Sequence, residues 1–139
     1  PWDSKAAGLY MICTLSKHEA EKQGYSESLM LDHEGNVAES TSANVFFKDN
    51  KGDLHTPIPD CFLDGITRRT VIEIAKSKNI KVHERKINPS ELSGFEGCFL
   101  TGTAAEVTPV RQIGDDLHFE VGPVSKQLID DYTDTINSQ

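Results

Sequence analysis

Long apolar runs, an excess of basic residues and paired cysteines are all missing from this chain of 139 residues. No stretch approaches the roughly 20 consecutive apolar residues that a membrane-spanning helix needs, and no secretion-signal pattern is present. Lys and Arg number 14 against 22 Asp and Glu, giving a net charge of −8. That balance excludes the clustered basic surface that nucleic acid or an anionic membrane requires. The three cysteines, Cys13, Cys61 and Cys98, are odd in number and widely spaced. Neither a disulfide framework nor a CxxC metal site is indicated, and a reducing cytoplasm is the expected setting. The motifs GxGxxG, Walker A, HExxH and GxSxG are absent, which removes the commonest nucleotide-binding, zinc-protease and serine-hydrolase chemistries. Five histidines are scattered without ligand spacing and read as surface or structural residues.

What is present is an ordinary globular composition, 37% hydrophobic and 26% charged, enough for a single domain with a real core. The chain begins Pro1-Trp2-Asp3-Ser4-Lys5 without an initiator methionine and enters patterned sequence at once. It reads as an excised domain of something longer. Apolar spacing predicts a helix over Ala6–Gln23 with Gly24 as its stop. Ser28–Asp32 reads as a buried strand, followed by a turn at His33–Asn36. The run Val37–Phe47 ends as a strand, and Asp49–Gly52 turns into Leu54–Pro57. A helix is expected from about Arg68 to Lys78 with Thr67 as its N-cap. Ile80, Val82 and Glu84 alternate as a strand, Asn88–Leu92 forms a short helical turn with Pro89 at its start, and Pro123–Ile136 is an amphipathic helix. Interleaved strands and helices with hairpin pairs indicate an α/β or α+β fold with a mixed sheet.

Chemistry concentrates in four places. Cys98-Phe99-Leu100 is a buried strand running into Gly102-Thr103-Ala104-Ala105, whose small side chains let a ligand approach the backbone amides. Such a turn suits an anion; equally, it is an ordinary strand–turn–strand with small residues for packing. Gly65-Ile66-Thr67 opens a helix and is a second candidate anion site at the positive end of its dipole. Glu39 is followed by four small residues. It reads either as a solvated turn acid or as an acid aimed at a ligand across neighbours that leave it room. Lys5 stands at an element boundary and means little alone. An amine, an acid and two amide turns together meet the needs of pyridoxal phosphate: a Schiff-base partner, a carboxylate for the ring nitrogen and dipoles for the phosphate.

The order Ser4-Lys5-Ala6-Ala7-Gly8-Leu9-Tyr10, Val37-Ala38-Glu39-Ser40-Thr41-Ser42-Ala43-Asn44-Val45-Phe46, Leu63-Asp64-Gly65-Ile66-Thr67-Arg68 and Gly102-Thr103-Ala104-Ala105-Glu106-Val107-Thr108-Pro109-Val110 resembles the class IV, or fold-type IV, aminotransferases. Specifically, the chain looks like the C-terminal large domain of a bacterial branched-chain amino acid aminotransferase. The resemblance implies a pseudo-barrel of strands with surrounding helices over residues 1–139, with a small N-terminal domain lying upstream. It implies pyridoxal phosphate as cofactor, Lys5 as the residue that carries it and moves the proton, and Tyr10 as a hydrogen-bond partner of its phenolic oxygen. Glu39 then pairs with the pyridine nitrogen, and Ile66, Thr67 and Thr103 hold the phosphate. Thr103, Ala104 and Ala105 receive the substrate carboxylate. The implied reaction transfers the amine of leucine, isoleucine or valine to 2-oxoglutarate, in a homo-oligomer, dimer or hexamer. Ala7, Gly8 and Leu9 stand where the family often has two glycines and an asparagine. A D-amino acid aminotransferase or aminodeoxychorismate lyase of the same fold, or a non-catalytic scaffold, are the rival readings.

Overall fold

The computed structural model describes residues 11–138; Lys5 and Tyr10 lie outside them. Three helices are described, α1 (Met11–Lys22), α2 (Ile66–Ser77) and α3 (Pro123–Asn137). The strands are β1 (Leu29–Leu31), β2 (Val37–Ser40), β3 (Asn44–Lys48), β4 (Leu54–Thr56) and β5 (Val82–Glu84), then β6 (Gly97–Gly102), β7 (Glu106–Pro109), β8 (Gln112–Ile113) and β9 (Leu117–His118). A five-stranded sheet in the order β5-β4-β3-β6-β7 forms the centre, with β1-β2 and β8-β9 as two-stranded ribbons. Within the central sheet β4 and β5 run parallel and the other pairs antiparallel, so the expected mixed sheet is present.

Alternation along β3 explains why its sequence is apolar throughout. Phe46 faces Phe99, Val71, Ala75, Leu128 and Tyr132 in the layer under α2 and α3. Its neighbours Val45 and Phe47 point the other way, toward Val37, Ile87, Leu92, Cys98 and Phe119. A strand buried on both faces reads as a continuous run rather than an alternating one. Phe46 and Phe99 are cross-strand partners whose rings stack with centroids 5.0 Å apart, and such a pair adds about 1 kcal/mol beyond the area it buries.

Several expectations on element boundaries shift. Thr67 is not the N-cap of α2: the cap is Gly65, extended and without a side-chain hydrogen bond, and the helix starts at Ile66. Thr67 is drawn inside instead, its hydroxyl 3.4 Å from that of Tyr132. The segment around β1 is no buried strand, since Leu31 is 51% exposed. Glu39 belongs to β2 rather than to a turn. The buried stripe of α3 is Ser125, Leu128 and Tyr132, and Ile136 is exposed. The short turn at Pro89 is a 3-10 helix, Pro89–Gly94, whose Asn88 and Glu91 form a capping box. Among the described residues, no helix is long and apolar enough to cross a membrane.

Candidate active site

The end of the sheet where β3 begins and β6 finishes brings together the segments that carried chemical signals. Ser40 closes the short connection between β2 and β3, its hydroxyl oxygen accepting from the backbone N–H groups of Ala43 and Ser42 at 3.1 and 3.4 Å. The β3–β6 register sets Asn44 opposite Thr101. One residue further, Ala43 lies against Gly102: a Cβ on that glycine would stand 3.3 Å from the Ala43 Cβ and 3.4 Å from the Ser42 carbonyl oxygen. Small residues in both turns are therefore a condition of contact. Thr103 and Ala104 are exposed beyond it and Ala105 is partly so. Glu106 follows with φ 49, the left-handed backbone that reverses the chain into β7.

The start of α2 is tied to the same place. Asn44 donates from Nδ2 to the Leu63 carbonyl at 2.9 Å and accepts the Gly65 N–H on Oδ1 at 3.2 Å. With no side-chain cap on the helix, the amides of Ile66 and Thr67 make no hydrogen bond among the described residues. They remain open donors at the positive end of the dipole. Arg68 sits beneath them, 1% exposed. Its guanidinium reaches Asp64 at 2.8 Å, Glu84 at 2.8 Å and the Pro57 carbonyl at 3.0 Å, pinning the first turn of α2 to the ends of β4 and β5.

Glu39 is half-buried in β2, and burial alone pushes its carboxyl up to about 7. Neither a cation nor a hydrogen-bond donor among the described residues draws it back. Such an acid is poised to gain from a ligand that brings an N–H or a positive charge. Cys13 and Cys61 stand close enough to share its field. Burial is the main cause that raises both thiols, the Glu39 charge adds to it, and Cys61 reaches about 11. Glu27 holds α1 to the neighbouring turn: its carboxylate accepts from the Thr41 hydroxyl, from the Ser42 hydroxyl at 2.8 Å and from Lys17 at 3.1 Å. Burial works against the Glu27 anion, but these donors outweigh it and its pKa lies below the usual carboxylate range.

A groove of about 830 Å³ opens elsewhere, between α1 and the segment 108–114, over Val45, Cys98 and Leu100. Neither Glu39, Ile66, Thr67 nor Thr103 lines it, so concavity alone does not locate the site. The charge and the free amides do.

Residues 3–113 match the profile of the amino-transferase class IV family. The chain belongs to the class IV aminotransferases. A Rickettsia felis relative that carries a branched-chain aminotransferase name is 47% identical over 113 residues, 81% of this chain and 39% of that one. The branched-chain-amino-acid aminotransferase of Pseudomonas aeruginosa is 37% identical over 98% of this chain and 45% of its own length. The solved branched-chain amino acid aminotransferase from Thermobaculum terrenum, in its PLP-form, superimposes with a TM-score of 0.93 at 36% identity, covering 99% of this chain and 46% of that one. The chain thus spans less than half the length of these class IV relatives.

The residues present fit a phosphorylated pyridine. A half-buried acid without a partner among the described residues suits a ring nitrogen, and open amides at a helix start suit a phosphate. The Thr101 hydroxyl, one residue before Gly102, is a further buried polar group without a hydrogen-bond partner among the described residues. Of the residues singled out from the sequence, Glu39, Ile66, Thr67 and Thr103 belong to segments linked by the Asn44 and Ala43–Gly102 contacts. Lys5 and Tyr10 fall outside the described residues. Sequence reasoning passed over Asn44, Glu27 and Arg68. Only Asn44 left a trace, as a polar residue set directly before the buried run Val45-Phe46-Phe47.

Proposed function

We propose that this chain is the cofactor-bearing part of a pyridoxal phosphate-dependent transaminase that moves the amine of leucine, isoleucine or valine to 2-oxoglutarate. The observation that carries the reading is Glu39, an acid held at about 7 by burial with no described partner, on the strand that leads into the turn before Asn44, the residue that ties down the start of α2. The branched-chain names of the relatives support the substrate class. Bound here, pyridoxal phosphate would supply an aldehyde for amine condensation and a ring that withdraws electrons from the substrate's Cα.

The residues then divide the work. Glu39 holds the ring nitrogen in its protonated state, which ionises the carboxylate in return. The Ile66 and Thr67 amides and Thr103 bind the phosphate, and the Thr103–Ala105 amides orient the substrate carboxylate. Tyr10 hydrogen-bonds the ring oxygen. Lys5 holds the cofactor and carries the proton at Cα, which requires a neutral amine and hence a lowered pKa. The 39–46% coverage of the relatives accords with a whole protein that carries a further domain, as the class IV resemblance implies. The free thiols accord with the cytoplasm.

The test is an absorption titration with pyridoxal phosphate beside a Lys5→Ala control, both reduced with borohydride and mapped by mass spectrometry. A Schiff-base band with its adduct on Lys5, absent from the control, is the expected result. Equal labelling in both would refute the assignment.

A further inference from the structure

The geometry points to Asn44 as a positioning residue that aims the phosphate-binding amides of α2, with Gly65 a glycine so that Asn44 can reach them. This rests on the cofactor reading above. Gly65 has φ −63 and ψ 146, a backbone that any residue adopts, so conformation does not demand a glycine. Space does: a Cβ there would fall 2.6 Å from Asn44 Oδ1, well inside contact distance. That oxygen is the acceptor for the Gly65 N–H at 3.2 Å, while the same side chain donates to the Leu63 carbonyl at 2.9 Å. Both ends of one amide group are therefore spent on the two residues flanking Asp64.

Asn44 itself has little freedom. It is 5% exposed and starts β3 opposite Thr101, whose strand runs directly into Gly102 and the second anion turn. One side chain thus couples the α2 cap to the strand pair that presents both other turns. By accepting the Gly65 N–H, Asn44 fixes which amides at the start of α2 remain open. An aliphatic replacement leaves a part-buried N–H and a part-buried carbonyl without their partner, and the cap then turns to satisfy them. Phosphate affinity is the property this would change, rather than the rest of the cofactor site.

The experiment compares binding of pyridoxal phosphate and of pyridoxal, which lacks the phosphate, to the intact protein and to the variants Asn44→Ala, Gly65→Ala and the double variant. Wild type should favour the phosphorylated form. Each single substitution should cut that preference by about tenfold, the scale of one lost hydrogen bond, while pyridoxal affinity stays within about twofold. In the double variant the Gly65 methyl occupies the space that Oδ1 vacates, so the two losses should be less than additive. Preference retained in both single variants, or equal loss for pyridoxal, would overturn the inference. If wild type shows no preference for the phosphorylated form, it is the cofactor reading that fails. Amide hydrogen exchange still decides the clamp in that case: faster exchange at Gly65 in Asn44→Ala supports it, and unchanged protection overturns it.

Discussion

Ala43 and Gly102 meet across the ends of β3 and β6 so closely that a single methyl on the glycine would stand 3.3 Å from the alanine Cβ. The neighbours are a methyl and a backbone carbonyl, neither of which can rotate aside. Gly102→Ala must therefore separate the two turns by a few tenths of an ångström. The expected cost is about 1–2 kcal/mol of stability, the usual range for overpacking, seen as a lower urea midpoint. On the proposed function, in which Thr103–Ala105 receives the substrate carboxylate, KM of the intact enzyme for its 2-oxo acid should rise, because that is the turn that moves. An unchanged midpoint with unchanged KM would show that the contact is slack.

Glu39 makes the cofactor-free protein sensitive to pH in a definite direction. Its usual value near 4.5 is raised to about 7 by burial, so the folded state holds the proton more tightly than the unfolded chain. Its stabilising effect is complete below about 4.5 and is lost as pH rises through about 7. Glu39→Gln should accordingly raise the melting temperature at pH 8 and leave it unchanged at pH 4. On the proposed function, in which Glu39 pairs with the ring nitrogen, the same substitution should lower transaminase activity by about 100-fold. Opposite signs for stability and activity mark a group retained for chemistry.

How much of this was legible beforehand follows from the range of the interactions. Local signals located the elements well: the apolar run and turn chemistry of Asn44–Thr56 and the extent of α3 have their causes within a few residues. Thr67 was misplaced as a cap because its hydroxyl is claimed by Tyr132, 65 residues away. Glu39 and the turns could be picked out as unusual, but their union depends on the β3–β6 register and on the two hydrogen bonds of Asn44. No window of sequence contains those. Arg68 carried no sequence signal beyond its place at the start of a helix, and only the fold shows it enclosed by Asp64, Glu84 and Pro57.

Arg68→Met should be destabilising by about 3 kcal/mol, at the low end for breaking a buried ion pair, because Asp64 and Glu84 keep some access to water. Arg68→Lys should recover only part of this. A single ammonium cannot span two carboxylates and a carbonyl in the fork that the guanidinium provides. Urea unfolding of both variants beside wild type supplies the check, and equal stability of Lys and Arg would refute the role of the fork.

Glu27 predicts a dependence on pH opposite to that of Glu39. Burial opposes its charge, but Thr41, Ser42 and Lys17 hold the carboxylate below its ordinary pKa, so the unfolded chain binds the proton first. The stability it contributes is present above the usual carboxylate value and is lost as pH falls through the lower, folded one. Glu27→Gln should then cost about 1–2 kcal/mol at pH 7, the scale of a charge-assisted hydrogen bond, and progressively less as the medium is acidified. Because Lys17 lies on α1 and Thr41 beside Glu39, the loss should appear first as faster amide exchange in α1, before the central sheet opens. Uniform loosening of α1 and β3 together would mean that the helix is held by something other than this carboxylate.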